Sequence, residues 1–380
     1  MSSKSVGVAV WAAIGAVCLI YAPMAIEYMG QYFTAKSPEL YLRSISAVVS
    51  LNPESTVGSL VHHQQPTYER SRWIMAVHTA GAGVAILLGV LQFSKRVRRN
   101  WPMVHRLSGR LLLIVVAASM VTALAYLFRT GSAETTSGPP FYNILLIFAI
   151  CVLAAAVLAF LAIINGQVRL HQALMAYMFA MLLTAPMIRI IVITLLLTVS
   201  GESFDADFMI GAAVAGPLAV FGATVAARYF TGKGTTRSSI LDRPAMAMGA
   251  RLAGALGLLV AILVGAKLVD RVDLPIAAVT TETVVLLLAC KALRLRSRAA
   301  GEDQGAKDWA ILESAIFATP VVCLALFTIY ALFWPAAMAF YCAVLTAPVV
   351  ALSIGYFPLA LLRRTHAVEA PSTLRPVGAT

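Results

Sequence analysis

Long apolar stretches alternate with short polar and basic segments along the whole chain. About 20 apolar residues in a helix cross the roughly 30 Å hydrocarbon core of a bilayer. The pattern therefore predicts an all-α polytopic integral membrane protein with about ten transmembrane helices. The predicted spans are 6–26, 73–94, 108–129, 141–165, 172–199, 208–229, 246–268, 274–294, 309–333 and 336–362.

The composition supports this class and excludes two others. Of the 380 residues 60% are hydrophobic and only 12% are charged, whereas soluble domains carry about 25% charged residues. A soluble fold would therefore lack the polar residues to cover its surface. A membrane β-barrel is excluded too, because it shows short alternating segments instead of long apolar runs.

Most of the 29 basic residues lie at alternate ends of the predicted spans. Cytoplasmic loops carry the excess of Lys and Arg, so this asymmetry predicts a cytoplasmic N-terminus and a cytoplasmic C-terminus. The net charge of +12 follows from the same bias. It predicts contact with anionic lipid of the bilayer and no nucleic-acid partner.

A polar segment rich in Gly, Ser, Thr and Arg occupies residues 231–249 and predicts a cytoplasmic linker. It divides a six-span N-terminal bundle (1–230) from a four-span C-terminal bundle with a cytoplasmic tail (250–380). We find no internal repeat, which disfavours an inverted-repeat transporter. His62 and His63 are interpreted as part of an ordinary polar loop, with weak surface metal binding as the alternative.

One predicted span carries a histidine near its outer end and small residues along one face below it. His78, Ala82, Ala85 and Gly89 share that face at helical spacing, with Gln92 near the same line. Two interpretations remain open for the small residues. They allow close helix–helix packing, or they leave room for a planar ligand below the histidine.

Two more histidines begin predicted spans at the same side of the membrane. His105 opens the third span and His171 opens the fifth, so we expect both at similar depth. Either they anchor and cap helices, or they face each other across a cofactor. Arg189 lies deep in the fifth span, near Pro186, where a charge needs a partner. Glu282 is the partner to test first.

The residues around these histidines resemble a known family. The pattern H-x-x-x-G…A-x-L-L-G-x-L-Q-F…R…H-R-x-x-G-R runs from His78 through Gly89 and Gln92 to His105 and Arg110. It is similar to a bacterial predicted-membrane-protein family, domain of unknown function 2306, over about residues 70–195. The family's later histidine–methionine–arginine element resembles His171, Met175 and Arg189, although Leu174 stands where an aromatic residue is expected.

The resemblance implies a multi-pass protein of the bacterial inner (cytoplasmic) membrane. The family name carries no activity, so it supports the motif residues without assigning them a role. No zinc-protease motif, nucleophile elbow or phosphate-binding glycine loop occurs in the chain, and whether it is an enzyme stays open.

The first functional hypothesis is a b-type haem module for electron transfer, with a membrane redox partner or an oligomer. Neutral imidazoles on facing helices are how such sites are built. His105 and His171 are the first choice of iron ligands, His78 is the alternate, and Arg189 is a partner for the propionates. We expect the three histidines to line one interior space.

Two alternative hypotheses remain. The first is a small-molecule or proton-coupled transporter, in which the intramembrane carboxylates Glu282 and Glu313 relay protons. The second is an assembly or structural subunit, in which polar residues such as Gln92 only lock helices together.

Overall fold

Helices make up nearly all of the part of the chain that the computed structural model describes, which is residues 3–34, 36–41, 43–44, 66–198, 204–231, 244–268 and 272–361. No strand occurs within these ranges, and the predicted all-α membrane fold is confirmed. The helices in chain order are α1 (Ser3–Glu27), α2 (Arg72–Phe93), α3 (Lys95–Asn100), α4 (Pro102–Thr130), α5 (Gly138–Ile164), α6 (Val168–Leu182), α7 (Thr184–Thr198), α8 (Phe204–Thr231), α9 (Pro244–Leu268), α10 (Leu274–Ala299), α11 (Asp303–Phe317), α12 (Thr319–Tyr330) and α13 (Ala336–Leu361). A 3-10 helix, Tyr28–Tyr32, continues α1.

The described helices account for the predicted spans. Nine are long and apolar enough to cross a membrane, when α6 and α7 are counted together as Val168–Thr198. The pair α11 and α12, which meet at a 45° bend, passes the same test as a tenth span. Each of the ten coincides with one apolar stretch of the sequence, while the cytoplasmic placement of the termini stays a prediction.

The fifth span is broken because of one proline. Helix α6 ends at Leu182 and α7 begins at Thr184, two residues before Pro186. Proline has no backbone N–H, and its ring clashes with the carbonyl four residues earlier. The Thr184 hydroxyl donates to the Met181 carbonyl at 2.7 Å, a hydrogen bond across the break.

One end of the bundle, the tyrosine end, is rich in tyrosine, and the other, the basic end, is rich in lysine and arginine. At the tyrosine end, Tyr28, Tyr32 and Tyr126 each pack against Tyr68, with ring centroids 5.6–6.0 Å apart. At the basic end, Lys95 Nζ lies 4.6 Å from the centre of the Tyr229 ring.

Helix α8 connects the first six spans to the last four. It packs against α6 and α7 on one side and against α10 and α13 on the other. At the basic end, Arg228 of α8 binds Asp308 of α11 at 3.1 Å. The predicted division at 231–249 falls largely on residues 232–243, which lie outside the described residues, so it stays a prediction.

Candidate functional site

A cavity of about 270 Å³ lies inside the first six spans, near the tyrosine end. Its walls come from α1, α2, α4, α5, α8 and the break between α6 and α7. Methionine, phenylalanine and small aliphatic side chains form most of the lining. Small-molecule pockets usually enclose about 300–1,000 Å³, so a cavity of this size takes a small ligand.

Polar groups gather at one side of this cavity. Five tyrosines from four different segments line it: Tyr21, Tyr28, Tyr41, Tyr68 and Tyr126. His78, Thr79, Thr136, Thr184 and Arg189 are the other polar residues of the lining. The arrangement is amphipathic, with an apolar body and a few convergent polar groups, which is typical of ligand sites.

Arg189 is the charged group of the cavity. Its Cζ atom lies 5.7 Å from the ring centre of Tyr21 and 5.8 Å from those of Tyr41 and Phe208. Nη1 donates to the Ala185 carbonyl at 3.0 Å, Nε has no hydrogen-bond partner, and the Tyr41 side chain interacts with the guanidinium. Among the described residues, no carboxylate lies within 4 Å of it.

His78 is tied to the neighbouring helix α4 by two hydrogen bonds. Its Nδ1 lies 3.0 Å from the Ser119 carbonyl oxygen, and the Ser119 hydroxyl donates to the His78 carbonyl at 2.8 Å. A carbonyl oxygen only accepts, so Nδ1 carries the proton. The ring is thereby held at the cavity wall in one tautomer.

Tyr41 reaches the cavity from a segment that Glu27 holds in place. The Glu27 carboxylate, at the end of α1, accepts hydrogen bonds from the backbone N–H groups of Glu39 and Leu40, both at 2.9 Å, and from the Ser37 hydroxyl. These bonds fix residues 37–41 above the bundle, so the Tyr41 ring reaches Arg189.

Tyr68 stands at the centre of the tyrosine cluster, in a helical turn just before α2. Burial raises the pKa of Tyr68 well above its usual 10, and the neighbouring tyrosines Tyr28, Tyr126 and Tyr32 add to the shift. Its hydroxyl is therefore neutral at physiological pH. The cluster contributes uncharged hydrogen-bonding groups to a site in which Arg189 supplies the charge.

The small-residue face of α2 serves two purposes. Ala82 lines the cavity directly below His78. Gly89 instead lies against Phe179 of α6, since a Cβ atom added there would stand 2.2 Å from Phe179 Cε2. Gly89 therefore allows close helix–helix packing, the first of the two interpretations. Ala82 borders open space, as the second interpretation, room for a ligand below His78, requires.

His105 lies at the basic end, in a polar network with α2. In the orientation that satisfies its neighbours, the Gln92 amide donates to His105 Nδ1 at 3.1 Å and accepts from the Gly109 N–H at 3.1 Å. Its oxygen also lies 2.7 Å from the Ser108 hydroxyl. Three residues of the sequence motif thus meet in one contact between α2 and α4.

His171 lies close enough to His105 for the two imidazoles to interact electrostatically. Its Nδ1 lies 2.9 Å from the Ala159 carbonyl of α5, so Nδ1 carries the proton. Neither His105 nor His171 lines the cavity that holds His78 and Arg189. The structure therefore does not bring the three histidines into that one space.

The donor groups suit a haem only in part. His171 Nε2 has a lone pair in the neutral ring, and metal-binding histidines commonly donate their other N–H to a carbonyl. His105 has the opposite tautomer: Nδ1 accepts from Gln92, so the proton of its neutral ring is on Nε2. Within the described residues, no group of three or more His, Cys, Asp or Glu side chains is placed to hold a metal ion.

The two candidate carboxylates lie elsewhere. Glu282, on α10, is buried and both its oxygens lack hydrogen-bond partners. It lies near the Leu218 backbone of α8 and forms no ion pair with Arg189, for which it was the partner to test first. Glu313 of α11 forms ion pairs with Arg294 at 3.1 Å and Arg251 at 3.6 Å. These ion pairs join α11 to α9 and α10, so Glu313 has a structural role.

The sequence reasoning missed most of the polar wall. Tyr21, Tyr28 and Tyr32 lie seven and four residues apart, a helical spacing that marks one face of the α1 end. That signal was present in the sequence. The role of Glu27 could not be inferred from the sequence, because its partners are mainly backbone N–H groups, which carry no residue-type signal. His62 and His63 lie outside the described residues.

These features define a polytopic α-helical membrane protein with an internal amphipathic cavity. Residues 75–227 match the model of a family described as Predicted membrane protein (DUF2306), which confirms the resemblance stated from the sequence. The matched segment runs from α2 to α8 and includes His78, Arg189 and the Gln92 network. No curated protein and no solved structure matches the chain.

Proposed function

We propose that the protein binds a small acidic amphiphile in the cavity, as part of the transport or handling of such molecules in the membrane. Arg189 carries this proposal. An unpaired guanidinium in hydrocarbon costs at least about 2.5–3.5 kcal/mol on insertion scales. The three aromatic rings around it offset part of this cost by cation–π attraction, at about 0.5–2 kcal/mol each.

An anionic group in the cavity completes the site. The guanidinium has an unused Nε donor, and a carboxylate takes two parallel N–H donors from arginine. The methionine and phenylalanine side chains below it receive an apolar chain. The ligand is therefore an acid with a short apolar body, of a size set by the cavity of about 270 Å³.

Equilibrium binding of radiolabelled octanoate to the full-length protein in lipid nanodiscs tests the proposal. We expect saturable binding that excess unlabelled octanoate displaces and that octanol, with the same chain and no charge, does not. Arg189→Gln is expected to weaken octanoate binding at least tenfold, and Arg189→Lys to weaken it less.

Arg129→Gln is the matched control. Arg129 is an exposed arginine of α4 that lies near the tyrosine end of the bundle but does not line the cavity. It is expected to bind octanoate like the wild type. Equal binding by the Arg189→Gln variant and the wild type, or no saturable binding by the wild type, would overturn the proposal.

A single b-type haem is the second candidate, supported by the tautomer and position of His171 and its closeness to His105. A dithionite-minus-oxidised absorbance spectrum of the purified protein tests it. A haem held by these residues gives a reduced spectrum that His171→Ala abolishes and His78→Ala leaves unchanged. A wild-type spectrum without haem bands excludes this candidate.

A further inference from the structure

Besides Arg189 the cavity has further polar groups, one of which is His78. The structure gives the hydrogen-bonding character of the His78 ring. The Nδ1–H of His78 is used by the Ser119 carbonyl at 3.0 Å. In a neutral imidazole the other nitrogen, Nε2, then has a lone pair and no proton. Nε2 is a hydrogen-bond acceptor, and no described residue donates to it.

Two further contacts hold His78 beside the Ser119 carbonyl. The Ser119 hydroxyl donates to the His78 carbonyl at 2.8 Å, so serine and histidine bind each other in both directions. Gly81 of α2 stands close to the same serine, since a Cβ atom added there would lie 3.2 Å from Ser119 Cβ. The close approach of α2 and α4 thus fixes the edge of the ring that carries Nδ1.

Thr79 adds to the same wall. Its hydroxyl is buried, lines the cavity, and has no hydrogen-bond partner. Buried polar groups in native proteins almost always have a partner. The lining of the cavity that holds Arg189 therefore includes an acceptor at His78 and an unpaired hydroxyl at Thr79.

From these groups we infer that the acid bound at Arg189 also carries a hydroxyl group, which donates a hydrogen bond to Nε2 of His78. This inference rests on the proposed function and narrows its ligand class from acidic amphiphiles to hydroxy acids with a short apolar chain. A simple fatty acid leaves His78 and Thr79 without partners, and buried polar groups left without a partner in the complex weaken binding.

Competition against radiolabelled octanoate in nanodiscs tests the inference, with octanoates that carry one hydroxyl at each carbon from 2 to 7 as competitors. We expect at least one isomer to bind about tenfold more tightly than octanoate, which is the gain typical of one added hydrogen bond. In His78→Phe, which keeps a planar ring and removes the acceptor, that preference is expected to fall to about onefold.

Thr79→Val provides a second measurement, because it removes only the unpaired hydroxyl and keeps the branched shape. It is expected to reduce the preference for the hydroxylated isomer over octanoate several-fold. The inference can therefore be tested even if the His78→Phe variant folds poorly. Ala80→Val, at a half-buried neighbour that does not line the cavity, is the control.

The outcomes separate the two proposals. If all isomers bind no better than octanoate while every acid still depends on Arg189, the hydroxyl inference is wrong and the proposed function stands. If a preferred isomer keeps its advantage in both His78→Phe and Thr79→Val, the assignment to His78 is wrong. If binding is independent of Arg189, both proposals are overturned.

Discussion

Glu27 Oε2 accepts a hydrogen bond from the backbone N–H of Leu40 at 2.9 Å. The same carboxylate accepts from the Glu39 N–H with its other oxygen, so one side chain at the end of α1 satisfies the start of the next helical turn. Carboxylates at helix N-termini are stabilising, because the free N–H groups there carry partial positive charge. This bond brings Tyr41 to Arg189.

Glu27→Gln is expected to loosen the segment around Tyr41. The glutamine amide keeps one acceptor and replaces the other with a donor that faces backbone N–H groups. Trypsin cleaves after Lys36 and Arg43, which flank Tyr41 and are exposed. We expect cleavage at both sites to be several-fold faster in the variant. Glu39→Gln, which changes only an exposed side chain, is the control, and equal rates in both variants would contradict this role of Glu27.

Arg228→Ala is expected to destabilise the contact between α8 and α11. Arg228 binds Asp308 at 3.1 Å, and the Asp308 side chain is only 3% exposed. Removing the arginine leaves a buried carboxylate, at a cost of about 2–3 kcal/mol for a pair that is partly open to solvent. Thermal unfolding in detergent measures the loss.

Asp308→Asn in the Arg228→Ala background removes the negative charge that Arg228 had balanced and is expected to restore part of this stability. Strictly additive losses in the double variant would show that the two residues do not interact. Gly305 belongs to the same contact, since a Cβ atom added there would lie 2.4 Å from Arg228 Nη2.

Gly89→Ala is expected to overpack the contact between α2 and α6. The added methyl group would stand 2.2 Å from Phe179 Cε2, and overpacking of this kind typically costs about 1–3 kcal/mol. Gly222→Ala on α8 is the matched control, because nothing lies within 4 Å of a Cβ atom there. Phe179→Leu in the Gly89→Ala background is expected to recover stability, and a Gly89→Ala protein as stable as the control would refute the contact.

Gln92→Leu is expected to destabilise the basic end of α2 and α4. The change removes the hydrogen bonds to His105 and Gly109, and a buried polar group left without a partner costs about 1–3 kcal/mol. Gln172→Leu, at a half-buried glutamine of α6 outside this network, is the control. The unfolding midpoint of Gln92→Leu should fall well below that of the control, and no difference would argue against the network.

The sequence by itself determined the class of the protein and the position of its spans. Apolar runs of about 20 residues have only one stable form in a bilayer, because a helix satisfies its backbone hydrogen bonds internally. The break before Pro186 follows from the missing N–H of one residue, although the apolar pattern predicted 172–199 as one span. The family motif was readable because its residues are close in sequence.

The tertiary structure decided what these residues contact. Gln92 and His105 meet because α2 and α4 pack side by side, and the packing gives His105 the tautomer opposite to that of His171. Glu282 was the candidate partner of Arg189 on the ground of comparable depth alone. Depth is set by position in a helix, but the facing direction is set by neighbours, and Glu282 faces α8 while Arg189 faces the cavity. The tyrosines of that cavity come from separate segments, which only the folded chain brings together.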